Sequence, residues 1–342
     1  MVEKKWTLTL TLLVLFLIYP LGRSMAQDPV FSQFYAAPLQ LNPSFSGLSE
    51  SARFAAVYRN QWPLIEEPFR TYSTMHLSYD QFFEKIRSGF GLELLADDAG
   101  AGFVRSYKIA GMYSYRVELN REGHYMKGGI EIGFVGLTYG WDKFVFGDQI
   151  DPKFGYTTPG GLPILSNELR PNSERISYFD AGAGLLYHSP NWFIGLSTKH
   201  LNSPSLGILN VNNGAFTGLP VRWSLHSGGN VNLSKSKKYS TLSLQPAIAI
   251  IRQSEFFQVN AGSQLQFQTL FIGLWYRHAR SNPDAIIGVL GIRKGGLKMA
   301  YSFDFTVSSL TLGQGGSHEI SLLYSQSKPR KSSYVKCFEG FN

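Results

Sequence analysis

A strict two-residue alternation of apolar and polar side chains, repeated along most of the chain, limits it to an extended fold. Val221, Trp223, Leu225, Val231 and Leu233 share one parity; Arg222, Ser224, His226, Asn230 and Asn232 share the other. Phe257, Val259, Ala261, Leu265 and Phe267 alternate in the same way with Gln258, Asn260, Gln264 and Gln266. Leu297, Met299, Tyr301, Phe303, Phe305 and Val307 alternate with Lys298, Ser302, Asp304 and Thr306. The last such run is His318 to Ser325, with Ile320, Leu322 and Tyr324 on its apolar face. Successive side chains of a strand point to opposite faces, so each run has one greasy and one wet side. The runs last about 9–13 residues. Soluble strands have about 5–6, whereas a tilted membrane strand needs about 9–11. A β-sandwich also alternates, but length and aromatic ends favour an all-β transmembrane up-and-down antiparallel barrel.

About fourteen strands are predicted, near 52–61, 71–80, 88–96, 104–117, 125–138, 175–188, 191–199, 220–233, 240–251, 255–267, 269–278, 285–293, 297–309 and 318–326. An even number closes a barrel with both termini on one side. If the first strand runs outward, the returning turns include Ser189-Pro190, Ser234 to Lys238 and Lys294-Gly295-Gly296, all short. The two longest connections, 139–174 and 200–219, fall on the other side, as expected for external loops.

Composition agrees. Mean hydropathy is −0.09 and hydrophobic residues make up 44%, which excludes a polytopic helical protein with its several runs of about 20 apolar residues. Aromatics reach 14% and charged residues only 16%, against roughly 25% in soluble domains. At the N-terminus, Lys4 and Lys5 precede the apolar Trp6 to Leu21, and Ser24-Met25-Ala26 is a small-x-small cleavage signal before Gln27. Residues 1–26 therefore read as a secretory signal peptide, with a membrane anchor as the alternative. Cys337 is the one cysteine of the sequence, so no intramolecular disulfide is expected.

Two segments flank the barrel of 51–326. Residues 27–50 carry Phe31, Phe34, Tyr35, Pro38, Asn42 and Pro43 without a regular period. So many aromatics do not suit a solvated arm, and the segment is expected at the periplasmic end or in the lumen. The 327–342 tail holds Lys328, Arg330, Lys331 and Lys336 against Glu339. It reads as a basic periplasmic tail, either a disordered end or a docking peptide.

Enzymatic signals are weak. No two of the seven histidines sit at an H-x-x-x-H spacing, and no G-x-S-x-G elbow exists. Neither a metal nor a cofactor is expected. Gly100-Ala101-Gly102 and Gly182-Ala183-Gly184 lack a following helix and read as turns or close strand packing. Asp97-Asp98 and Asp148-Gln149-Ile150-Asp151 are expected in outer loops, where paired acids are solvated or hold Ca²⁺. Lys127, Arg222, Arg252, Arg277 and Lys298 are scattered. They lack the compact cluster of a nucleic-acid binder and read as lumen cations.

Gln27 to Tyr35, Pro38-Leu39, Leu41-Asn42-Pro43, Gly47 and Tyr58-Arg59-Asn60-Gln61-Trp62-Pro63 together resemble the PorP/SprF family of type IX secretion outer-membrane proteins. Phe146 to Asp151, Tyr178 to Tyr187 and Leu219-Pro220-Val221-Arg222 continue the resemblance over nearly the whole mature chain. It implies a non-enzymatic component of the type IX secretion and gliding machinery in the outer membrane. Its partners would be the C-terminal domains of secreted substrates or other machinery subunits. Loops on a rigid scaffold commonly carry binding. Trp141, Phe144, Phe146, Phe154 and Tyr156 in the longest loop are therefore candidate partner-binding residues, or else fold that loop over the barrel mouth. A passive transport barrel for small or hydrophobic solutes would share the same strand pattern.

Overall fold

In the computed structural model the alternating runs become one closed antiparallel sheet. The structure describes residues 28–49, 51–64, 72–100, 102–206, 218–234, 242–280, 282–307, 315–326, 337–338 and 341. The strands are β1 (Arg53–Gln61), β2 (Tyr72–Phe83), β3 (Ser88–Ala99), β4 (Val104–Glu118), β5 (Tyr125–Tyr139), β6 (Arg175–His188), β7 (Trp192–Lys199) and β8 (Arg222–Gly229). They continue as β9 (Leu242–Gln253), β10 (Phe256–Phe267), β11 (Leu270–Ala279), β12 (Asn282–Lys294), β13 (Leu297–Thr306) and β14 (Ser317–Ser325). After a break at Asn230, β8 resumes over Val231–Asn232 on the same partner, β9. Each strand pairs with its sequence neighbours, and β14 closes on β1 with Arg53 opposite Ser325 and Gln61 opposite Ser317. Closure leaves no edge strand, which lipid would not tolerate.

The alternation sets the two faces. On β5, Ile130, Ile132 and Phe134 point outward and are exposed, Ile132 by 65%, while Lys127 and Glu131 point inward and are buried. The same parity runs through β8, β10 and β13. The exposed face is thus a continuous band of Leu, Ile, Phe and Tyr, and the buried polar groups lie in the lumen. No helix among the described residues is long and apolar enough to cross a membrane.

The two ends differ. At the turn end, where β1 begins and β14 finishes, β6–β7, β10–β11 and β12–β13 are joined by two or three residues. At the loop end lie the 140–174 and 200–221 connections. The division is not absolute, since β9 and β10 meet there across Ser254 and Glu255 alone. Asp97-Asp98 lie within β3 rather than in a loop, because pairing with β2 continues past them, Thr74 opposite Asp97 and Ser73 opposite Asp98. Arg252 departs from the lumen expectation: buried Ile251 and Gln253 take the inward parity of β9, so Arg252 points outward.

The lumen is occupied by the chain's own N-terminal segment. Residues 28–49 run inside the wall from the loop end to the turn end, then turn into β1. With no sheet partner, this backbone meets its hydrogen-bond needs in short turns: a 3₁₀ turn at Phe34–Ala36, α1 (Pro38–Leu41) and a 3₁₀ turn at Pro43–Phe45. Pro38 and Pro43 each start a turn, where the missing N–H costs nothing. The Asn42 side chain caps the last turn through Ser44 N–H at 2.8 Å.

A charge on the outward face separates a membrane barrel from a soluble one. Ile132→Arg is expected to destabilise the protein by about 2–4 kcal/mol, read from urea titrations of protein refolded in lipid vesicles. A soluble barrel would tolerate the change within about 0.5 kcal/mol.

Candidate functional site

Among the described residues the two larger buried charge clusters lie in the lumen, and the N-terminal segment completes both. On one wall, Asp304 of β13 and Glu319 of β14 face Arg59 of β1 and Arg277 of β11, with Arg59 Nη2 to Asp304 at 3.2 Å and Arg277 Nη1 to Asp304 at 2.8 Å. Ser32 inserts between them. Its hydroxyl donates to Asp304 at 2.6 Å, and its backbone N–H donates to Glu319 at 2.8 Å. The Gln33 N–H donates to the other Glu319 oxygen, also at 2.8 Å. The Gln33 side chain donates to Ser302 and accepts from Ser321. A buried carboxylate without such donors costs several kcal/mol.

The second cluster spans β2 to β8. Glu93, Glu131 and Asp180 surround Lys108 and Lys199, and His76 lies 3.3 Å from Glu93. Its loop-end corner is His200, just beyond β7. The His200 ring sits 2.8 Å from Asp180 and 2.7 Å from Asp28, and Arg222 reaches Asp28 at 3.1 Å. Burial alone would lower the His200 pKa, but the Asp28 and Asp180 carboxylates outweigh it and raise it to about 9. Burial alone would raise the Asp28 pKa, but His200 and Arg222 hold it well below the carboxylate range.

Below these clusters the contact is close packing. Phe34 meets Trp275 edge-on and Tyr35 stacks on it, both at 5.3 Å. Phe31, Leu39, Leu41 and Phe45 are buried with them. A Cβ on Gly129 would lie 2.5 Å from Ser44 N and 2.7 Å from Pro43 C, so only glycine lets the segment approach β5. Gly184 makes the same room for Asn42. That, rather than a turn, explains the second glycine of Gly182-Ala183-Gly184. At the turn end, Asp80 accepts from Arg53 and from the Gly47 and Leu48 N–H groups, and Lys127 donates to Ser46 O. Phe338 and Phe341 pack beneath Phe45 at 6.1 and 5.4 Å, and Arg53 donates to Phe341 O. Cys337 is buried beside them. Lys328, Arg330, Lys331, Lys336 and Glu339 lie outside the described residues.

The structure therefore places Phe31, Phe34 and Tyr35 inside the barrel, against the wall. The five loop aromatics divide. Trp141, Phe144 and Phe146 form one ring cluster, with centroids 5.0–6.3 Å apart, and Phe103 joins Phe144 at 5.5 Å. Phe154 and Tyr156 stay exposed, as do Ile150, Leu162, Leu165 and Leu169 around them. Asp148 is held by Ser166 and by Asn167 N–H, which keep its pKa low, and Asp151 accepts from Lys153 and Phe154 N–H. Both acids thus fasten their own loop. Among the described residues no group of three or more His, Cys, Asp or Glu is placed to hold a metal. Sequence reasoning missed Asp28, His200, Asp304 and Glu319. The available signal was parity, since Asp80, Glu93, Glu131, Asp180, Asp304 and Glu319 all fall on the inward faces of their strands.

Comparison with known proteins settles the family. The description "Type IX secretion system membrane protein PorP/SprF" matches residues 23–324. The chain belongs to the PorP/SprF family. No curated protein sequence matches it. Solved barrels align over most of its length at low similarity. The outer membrane protein Omp33 of Acinetobacter baumannii is 7% identical, with 82% of this chain and all of that chain covered, at a TM-score of 0.43. The CymD monoaromatic hydrocarbon channel is 11% identical over 90% of this chain and 96% of that chain, at 0.47. A triple mutant of the Rhodopseudomonas blastica porin reaches 0.33 at 6% identity, with 80% and 98% covered. This PorP/SprF protein is thus an outer-membrane β-barrel whose lumen contains its own N-terminal segment.

Two outcomes follow. The charged His200 contact stabilises fully below the ordinary histidine pKa of 6.5 and is lost as pH rises through about 9. Asp28, with its lowered pKa, contributes above its ordinary 3.8 and loses that contribution only under acid. Thermal stability, followed by gel mobility, should fall between pH 8 and 10 (about two units around the folded His200 pKa), and His200→Gln should remove that step. Separately, Gly129→Val should drive Ser44 from the wall and speed proteolysis near Asp28 at least about tenfold; unchanged cleavage would show that residues 42–44 do not press on β5.

Proposed function

We propose that this protein is a non-enzymatic platform of the type IX secretion machinery, which holds protein partners at its loop end rather than passing solutes through its lumen. The observation that carries this reading is the occupied lumen. A pore wall is lined with groups left free for water, whereas here Asp304, Glu319, Asp80 and Asp28 are spent on the chain's own residues. A transport barrel would have to break those bonds at each passage. Export follows cleavage of the signal peptide after Ala26, and the loop end faces the cell exterior. The exposed apolar side chains of the 140–174 loop, Phe154 and Tyr156 among them, are the contact surface. They lie on a loop stiffened by the Trp141, Phe144 and Phe146 cluster and by the Asp142–Arg170–Glu174 ion pairs. Aromatics on a rigid frame are favoured interface anchors. The partners are secreted proteins carrying type IX C-terminal domains, or other subunits of the machine.

Gentle purification from native membranes should recover such a partner with the barrel. The double variant Phe154→Ala, Tyr156→Ala should cut that recovery about tenfold or more while leaving gel mobility unchanged. Planar bilayers test the other half of the proposal. The intact protein should show no steady conductance, and a variant lacking residues 28–49 should conduct. Steady, solute-selective conductance of the intact protein, with no partner recovered, would support the transport reading instead.

A further inference from the structure

At the loop end the wall rises above the N-terminal segment and encloses a cavity of about 390 Å³, floored by Asp28, Pro29 and Val30. We propose that this vestibule is a binding site for a neutral saccharide of one or two rings. The claim is independent of the protein-partner reading, which concerns the 140–174 loop.

Three observations carry it. The first is aromatic surface. Trp62, Tyr72 and Phe256 line the cavity, and Trp62 meets Tyr72 edge-on at 5.4 Å and 88°. These rings give the cavity an apolar side, to which the C–H face of a pyranose is complementary. The second is strain. Trp62 sits at φ +55°, in the left-handed region, fixed there by its N–H to Gly316 O at 2.7 Å. A bulky residue rarely adopts that conformation, and such strain concentrates at binding sites. The third is unspent hydrogen bonding. Gln258 lines the cavity and is only 6% exposed, yet its Nε2 has no partner among the described residues. Among the described residues Arg277 commits only Nη1, to Asp304 and Ser32. Its remaining N–H groups have no acceptor among the described residues.

Charge decides the ligand class. The ionised groups that line the site are already committed: Arg59 and Arg277 to Asp304, Asp28 to His200 and Arg222, and Asp97 to the Thr74 hydroxyl. A charged ligand would add an unbalanced charge beside these already neutralised pairs, at a cost of several kcal/mol. A polyol needs only the unused amide and guanidinium N–H groups. The volume suits one or two sugar rings.

The test uses the full-length protein in nanodiscs. Glucose, galactose, mannose, N-acetylglucosamine and maltose are titrated by calorimetry, with saturation-transfer NMR as the second readout. At least one should bind saturably, and Trp62→Ala and Gln258→Leu should each weaken that binding about tenfold or more. Gln258→Leu keeps the ring pair and the strained turn, so it reports even if Trp62→Ala fails to fold. Absence of saturable binding by all five sugars overturns the proposal. So does binding that neither variant affects, or tighter binding of glucuronate, titrated alongside as the charged control, than of glucose.

Discussion

A barrel wall that alternates every two residues sends half of its side chains into the lumen, and here several of those are carboxylates. Each must find donors where water is scarce. Glu319 finds them in the backbone N–H groups of Ser32 and Gln33, and Asp80 in those of Gly47 and Leu48. The wall and the N-terminal segment therefore specify one another. Withdrawing the segment would leave Glu319 and Asp80 short of donors while Arg59 and Arg53 stayed buried beside them. Leaving a buried acceptor without its donor costs about 1–3 kcal/mol, and more when it is charged, at least as much as one aromatic contact supplies.

How much of this was legible depended on range. Fourteen strands could be read because period-two patterning is local, and β6 runs over the expected Arg175–His188. Where local pattern and pairing register competed, register won. Asp97 and Asp98 look like loop residues in sequence, yet pairing with β2 keeps them in β3. Arg252 counts as one more basic residue until its neighbours' parity turns it outward. The N-terminal segment could be expected at the periplasmic end or in the lumen on its aromatic content alone, but its path could not. Ser32 contacts residues more than 270 positions away, and no periodicity encodes that. The same holds for His200, which gains its role from Asp28 and Asp180, residues that only the closed barrel brings together.

The two regions with functional potential sit at one end and differ in character. The 140–174 loop half-buries Trp141, Phe144 and Phe146 in its own ring cluster and leaves Phe154 and Tyr156 exposed. Five aromatics that look alike in sequence thus have two environments, three packed on one another and two exposed. The vestibule is smaller and polar, and its floor is the Asp28 end of the lumen segment. Family membership supplies the machine, and the filled lumen supplies the reason to expect a platform rather than a pore.

Hydrogen–deuterium exchange on the full-length protein in nanodiscs tests that central claim most directly. The amides of Ser32, Gln33, Gly47 and Leu48 should exchange as slowly as those of β5 and β13, because each donates to a buried carboxylate. Exchange of these four amides within seconds, beside protected strands, would contradict a lumen segment held by the wall.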